Sequence, residues 1–332
     1  MKKAPLRDRA VHNESLAVGS DGQIARFTRD ALEISIEVHD DYIGSKIFRE
    51  SNFYAWEELD FLAALPIGEG VVVDGGANIG NHSLFFSLIL DRKVLAFEPV
   101  KDNYEILKRN IERNKTDHQV LAFPIGLSSS PGVLKMVVDR SNMGGSRVVT
   151  PDVVEPKNLP NMIGVEVGRI DDLVGAERVA LLKLDLEGHE VPALQGATRV
   201  LANDRPVVVA ESNTLSERVA LTALMSKYGY ECGTVVGLSD NLVFFHRKAH
   251  SRIITSAYAF LARRLERRYK DNATDFPPVI ERIFLSEIER LRTVNSRLAR
   301  AVESSKPSVS QQEPLRKTFG GIRQKWRSWT RR

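Results

Sequence analysis

The sequence predicts an α/β protein built on a doubly wound, mostly parallel sheet. Three observations carry that expectation. Apolar strand-like runs alternate with helix-like segments from Gly70 to Phe245, the pattern of a sheet covered by helices on both faces. The first run, Val71-Val72-Val73, ends in Asp74 and enters a helix-like segment through the small residues Gly75-Gly76-Ala77-Asn78-Ile79-Gly80. A later run, Leu181 to Glu187, puts Lys183, Asp185 and Glu187 on one strand face and Leu182, Leu184 and Leu186 on the other. At 332 residues, 42% of them apolar and 27% charged, the chain is long enough for one large domain plus appendages.

Taken in order, residues 1–66 read as an N-terminal extension. Its opening is polar and weakly patterned. Residues 31–48 alternate and meet Asp40-Asp41, which predicts a hairpin. Phe53 to Leu65 has helical spacing and stops at Pro66. The main domain is expected over 67–248. It holds strands at 70–74, 94–98, 119–127, 180–186 and 206–210, with helices at 81–90, 101–114, 191–201 and 215–228. Shorter strands are expected at 133–139 and 165–170, and a closing pair at 232–236 and 242–245. The small-residue, proline-containing segment from Asn142 to Asn161 reads as a lid or a surface insertion.

Charge divides the chain again. Residues 247–332 carry a net +13 and the rest a net −9, which together give +4. A mildly acidic body with a basic appendage implies two functional parts and disfavours a nucleic-acid-binding body. Residues 249–303 are helix-prone, and Phe284, Leu291 and Leu298 repeat at seven, the period of a short coiled coil and hence of a homodimer. Residues 304–332 form a basic linker and tail. There Phe319, Ile322, Trp326 and Trp329 fall on one helical face, which suits peripheral contact with an anionic membrane. The single cysteine, Cys232, and the lack of an apolar leader or a spanning run point to the cytoplasm, with contact at the inner face of the membrane through the tail.

The glycine turn carries the chemistry. It places a helix N-terminus beside the end of a buried strand, and Glu98 ends the next strand where an acid can accept both hydroxyls of a ribose. Two cofactors fit such a frame. A nicotinamide dinucleotide favours G-x-G-x-x-G, but the middle position is Ala77. S-adenosylmethionine favours acid-x-Gly-x-Gly-x-Gly, matched by Asp74, Gly76 and Gly80 with Asn78 in the middle. Asparagine tolerates the left-handed backbone such a turn needs. The expected cofactor set is Asp74, Gly75, Gly76, Ala77, Asn78, Gly80, Asn81, Glu98 and Pro99. The expected catalytic set is Asp185, Glu187 and His189, at a strand end beside that turn. No metal is expected, because no spacing demands one; Asp185, Glu187 and Glu211 are the oxygen set a divalent cation would take.

The runs VVVDGGANIGNHSLFF, VLAFEPVKDNYEILKRNIERN, LLKLDLEGHEVPALQGA and RPVVVAE resemble, in that order, the FkbM family of S-adenosylmethionine-dependent methyltransferases. The resemblance covers roughly residues 50–215. It implies a seven-stranded class I methyltransferase fold with the last strand antiparallel, and methylation of a hydroxyl on a sugar, glycan or natural product. Family features map onto Asp74, Gly76, Asn78, Gly80, Glu98, Asp185, Glu187, Gly188 and Glu190. Two other readings stand beside it: a nicotinamide-dependent oxidoreductase, and a non-catalytic methyltransferase-like scaffold recruited by its basic tail.

Overall fold

A computed structural model describes residues 17–19, 22–139, 145–148, 161–236, 241–250, 252–254, 256–257 and 260. The chain opens with β1 (Ala17–Gly19), β2 (Gly22–Arg29) and β3 (Leu32–Val38), an antiparallel sheet. The hairpin therefore turns at Asp30-Ala31, both left-handed (φ 50° and 67°), and not at Asp40-Asp41. Asp41 instead caps α1 (Tyr42–Glu50), accepting a hydrogen bond from the Gly44 N–H at 2.9 Å, and residues 42–48 are helix where alternation predicted strand. Next comes α2 (Trp56–Ala64), which ends at Leu65 before the proline.

The main sheet takes its strands from β4 (Val71–Gly75), β5 (Val94–Phe97), β6 (Val120–Phe123), β11 (Val179–Leu184), β12 (Val207–Ala210), β13 (Tyr230–Val236) and β14 (Asn241–His246). Their order is β13-β14-β12-β11-β4-β5-β6. Strands β12, β11, β4, β5 and β6 run parallel, and the last described strand of the chain, β14, is antiparallel to both its neighbours. Between β6 and β11 lies a small sheet of β7 (Gly126–Leu127), β8 (Gly132–Val137), β9 (Arg147–Val148) and β10 (Met162–Gly168). The run expected as one strand over 119–127 is thus two, belonging to different sheets. The helices of this part are α3 (Asn81–Leu88), α4 (Lys101–Arg113), α5 (Ile170–Leu173), α6 (Glu190–Gln195) and α7 (Leu215–Lys227).

Alternation along the strands builds two cores, one per sheet face. Val72, Val94, Ala96, Leu181 and Val209 pack with α3, α4 and the N-terminal hairpin; Val73, Leu95, Leu182, Leu184 and Val208 pack with α6 and α7. Full burial of one such aliphatic side chain contributes about 1.5–3 kcal/mol. Apolar packing crosses residue 66 and also residue 248: Phe27, Ile34 and Ile36 share the first core with Ile253 and Ala257, and Phe260 meets Phe61 edge-on at 5.7 Å. The helix expected over 191–201 is shorter. It yields at Gly196, where a Cβ would overlap the Ser128 carbonyl oxygen, and a π-helical turn follows at Val200–Asp204. The expected lid at 142–161 lies outside the described residues except for 145–148 and 161, as do the coiled-coil segment from 261 and the basic tail. Among the described residues no helix is long and apolar enough to cross a membrane.

Candidate active site

The carboxyl ends of β4, β5, β11 and β12 open into one pocket, with the small sheet forming a wall through Met136, Val165 and Val167. Open parallel sheets bind ligands at this edge, because the helices that follow the strands present their N-termini there. The turn after β4 reaches it through Gly76, Ala77, Asn78 and Asn81, the loop after β5 through Glu98 and Pro99, and the loop after β11 through Asp185, Glu187 and His189. Glu211, just after β12, completes the rim.

The turn is held by its own backbone. The N–H groups of Gly76 and Ala77 both donate to the Phe97 carbonyl at 3.0 Å. Gly76 and Asn78 take left-handed conformations, at φ 72° and 50°. A Cβ on Gly76 would overlap the carbonyl oxygen of Asp185, so this glycine lets β4 approach the end of β11. Gly80 serves helix packing instead: a Cβ there would lie 2.6 Å from Leu107 on α4. Neither Gly75 nor Gly80 lines the pocket. Glu98 is 4% exposed, and its two oxygens accept from the N–H groups of Asn78 and Val100, each at 2.8 Å. Burial pushes its pKa up to about 7, against the pull of those hydrogen bonds.

Two expected cofactor residues also carry bonds that hold the fold. Asp74 is fully buried, accepts a hydrogen bond from Ser83 at 2.6 Å and lies 4.0 Å from the Lys183 ammonium. It ties the start of α3 to the sheet, away from the pocket wall, where the motif had suggested contact with a cofactor ammonium. Asn81 spends its amide on a backbone: Oδ1 accepts from the Tyr54 N–H at 2.9 Å and Nδ2 donates to the Tyr54 carbonyl at 3.1 Å.

Lys183 is 1% exposed and donates to Asp185 at 3.0 Å. Burial presses its pKa down, but Asp185 and Asp74 outweigh that and hold it above lysine's ordinary value. Burial likewise raises the Asp185 pKa, and Lys183 reverses the shift, so Asp185 stays ionised. Its neighbours are left without such a partner. Burial, then the charge on Asp185, lifts Glu187 to about 7. Burial, then Asp185 and Glu187, lifts Glu211 to about 9, so Glu211 is protonated at neutral pH and hydrogen-bonds to Asp185. Glu190 accepts from the Leu186 N–H at 2.7 Å and braces the loop that holds Glu187 at φ 51°. Carboxylate oxygens of Asp185, Glu187 and Glu211 come within 4.8 Å of one another, an oxygen set of the kind that could hold a divalent cation.

His189 also lines the pocket, but its Nε2 is hydrogen-bonded to Ser128 Oγ at 3.0 Å and burial holds its pKa down. His82, left out of the expected catalytic set, stands in the first turn of α3. It is 9% exposed, its Nε2 has no hydrogen-bond partner, and burial keeps its pKa well below the ordinary value. Among the pocket residues that the sequence reading missed are Tyr42 and Tyr54 from the N-terminal extension. They belong to no motif, and only the packing of that extension brings them to the strand ends.

Residues 74–232 match the methyltransferase FkbM domain. The chain is 30% identical to the methyltransferase sdnD of Sordaria araneosa, over 51% of this chain and 76% of that protein. It is also 30% identical to the hexuronic acid methyltransferase AglP of Haloferax volcanii, over 42% of this chain and 55% of that protein. Among solved structures it is similar to a methyltransferase FkbM from Methylobacillus flagellatus KT, with 18% identity, a TM-score of 0.43, and cover of 63% of this chain and 56% of that one. A match that takes in the glycine turn, Glu98 and the carboxylate row together, with the order of strands that carries them, makes this chain a member of the FkbM methyltransferase family.

Proposed function

We propose that this methyltransferase takes its methyl group from S-adenosylmethionine and transfers it to a hydroxyl of a sugar, glycan or natural product. The observation that carries the reading is Glu98. A buried carboxyl, oriented by the backbone of the glycine turn, lines a pocket that Asp185, Glu187 and Glu211 also line. The Asn78 and Val100 N–H groups and the Asn103 side chain take up most of the carboxyl's acceptor positions, and what is left suits a ribose hydroxyl. The buried Asn78 Oδ1 has no hydrogen-bond partner in the same pocket, an open acceptor for the rest of a nucleoside.

When bound, the cofactor supplies a methyl group already activated by its sulfonium sulfur. The protein then has to align the acceptor oxygen, exclude water and receive one proton. Asp185 is ionised and fixed by Lys183, so it orients the hydroxyl and accepts its proton as the oxygen–methyl bond forms and the sulfur–methyl bond breaks. Glu187 shapes the same wall. His189, held by Ser128, positions the loop and accepts no proton in this scheme. The name of the relative AglP supports a sugar as the class of acceptor, and the acid in that name is said of AglP alone. We propose further that the basic tail anchors the protein to an anionic surface.

A mass-spectrometric screen of cell glycans, lipids and small molecules with methyl-labelled cofactor tests the reading. The expected product carries the label as an alkali-stable ether. Label on nitrogen, on carbon or in an alkali-labile ester overturns the hydroxyl assignment. Flotation of the full chain and of a version ending near residue 310 with anionic vesicles tests the tail, and equal recovery refutes it.

A further inference from the structure

We infer that Tyr54 and Tyr42 form the acceptor's stacking wall, and that the acceptor is a neutral or amino-bearing polyhydroxylated ring, not an acidic one. The inference rests on the hydroxyl-methylating reading above and adds to it the chemistry of the substrate.

Both tyrosines line the pocket that holds the glycine turn and Asp185. Their rings meet edge-on, with centroids 6.4 Å apart and planes at 81°. Tyr42 opens α1 and is 57% exposed, the only aromatic among the large exposed apolar side chains of the described residues. An aromatic ring left open beside a pocket is surface that a ligand can cover. Tyr54 is anchored with unusual care. The Asn81 amide clamps both its N–H and its carbonyl, so its backbone is registered to the first residue of α3, next to the turn. On one side Phe53 is fully buried against Phe27 and Phe85, with centroids at 5.2 and 5.4 Å; on the other Ala55 is left-handed at φ 53°. A segment so constrained holds a ring at a set distance from the cofactor turn. The Tyr54 phenol lies within the field of Asp185 and Glu211, which, after burial, helps push its pKa to about 12 and keeps it a hydrogen-bond donor.

The same pocket also has an acidic wall of Asp185, Glu187 and Glu211. Lys183 is committed to Asp185, and Arg147 acts on Glu187. A pyranose-like ring matches the two walls. Its C–H face covers the aromatic pair, and its hydroxyls donate to the ionised Asp185 in charge-assisted hydrogen bonds. An ammonium on such a ring gains from both walls. A carboxylate on it meets Asp185 and Glu187 at close range.

Saturation-transfer NMR on the full chain with saturating S-adenosylhomocysteine tests this. The probes are methyl α-glucopyranoside, methyl α-glucosaminide and methyl α-glucuronide. Transfer to the ring C–H protons of the first two is expected, with none to the glucuronide. Tyr42→Ala, at an exposed position, and Tyr54→Ala should each cut the signal about fivefold or more; Tyr54→Phe should keep most of it. Tyr42→Ala needs no core repacking, so it decides the matter even if Tyr54→Ala folds poorly. Unchanged signal in the folded alanine variants, equal signal from the glucuronide, or no sugar signal from the unaltered chain overturns the inference. Calorimetry with S-adenosylhomocysteine separates the two levels: a chain that fails to bind it refutes the cofactor reading, whereas normal binding with any of those NMR results refutes the wall alone.

Discussion

Glu98 should make cofactor binding depend on pH. Its carboxyl has a pKa pushed up to about 7 by burial, and a ribose hydroxyl pair donates best to the ionised form. At pH 6 about one molecule in eleven then carries the carboxylate, and at pH 8 about ten in eleven. Affinity for S-adenosylhomocysteine should therefore rise about tenfold between those pH values. Replacing Glu98 by glutamine removes the titration and one charge-assisted acceptor. At pH 8 that costs about 1.5–3 kcal/mol, or roughly 10- to 150-fold in Kd. The two Kd curves should converge toward pH 6. Stability gives an independent reading. The folded pKa lies above the ordinary value of 4.5, so the native state holds the proton more tightly than the unfolded chain. The contribution is complete below about pH 4.5 and is lost as pH rises through about 7, a fall of about 3 kcal/mol. Glu98→Gln should flatten that part of the stability curve. Isothermal titration at five pH values with matched denaturant melts measures both. A wild-type Kd that is flat from pH 6 to 8, or a variant that binds equally well at pH 8, refutes the role assigned to Glu98.

Three further outcomes follow from the same geometry. Asp185→Asn should leave S-adenosylhomocysteine affinity within about twofold and lower turnover of the identified acceptor by about 100-fold or more, since it removes a proton acceptor and no cofactor contact; a variant with full turnover would assign the proton elsewhere. Gly76→Ala forces a Cβ into the Asp185 carbonyl oxygen at a left-handed position, so chemical denaturation should show a loss of about 3–5 kcal/mol. Lys183→Met strands the buried Asp74 and the half-buried Asp185 without their cation, and a loss of about 3–5 kcal/mol is expected in the same assay; an unchanged melt would mean that the acids simply take up protons.

What the sequence made legible was local. Strand ends, the glycine turn and the carboxylate row follow from alternation and from residues a few positions apart, and the structure brings them to one sheet edge. The N-terminal hairpin was misread because its turn uses Asp30-Ala31, neither of which advertises a positive φ as Asn-Gly would. Asp40-Asp41 then looked like the turn, although Asp41 is a helix cap. The structural bonds of Asn81 and Asp74 were not legible for a related reason. Position in a motif says that a polar side chain is near the site, but not which way it turns, and these two turn toward Tyr54 and Ser83. Tyr42 and Tyr54 were invisible because their place in the pocket depends on where a hairpin and two short helices dock against α3 and α4, a long-range packing result that no spacing encodes.

The electrostatics of the sheet edge also argue for the kind of molecule it receives. Asp74, Asp185, Glu187, Glu190 and Glu211 gather around one buried cation, Lys183, with Glu98 just after β5 on the other side of β4. A fold selected for stability alone would place apolar side chains at the end of a central parallel strand, because unpaired buried carboxyls each cost several tenths to several kcal/mol and shift toward protonation. Glu98, Glu187 and Glu190 do shift, to about 7, and Glu211 to about 9. That unmet demand for positive charge is strongest where the pocket opens. S-adenosylmethionine carries a net positive charge through its sulfonium and ammonium groups. A bound cation would draw Glu98 and Glu187 back toward the ionised state, releasing protons as it binds. Proton release on binding S-adenosylmethionine, measured as the buffer dependence of the calorimetric enthalpy at pH 6.5, should therefore exceed the release on binding the uncharged-sulfur product. Equal release for the two would mean that the carboxyl row does not sense the sulfonium, and that its cost is offset by the acceptor instead.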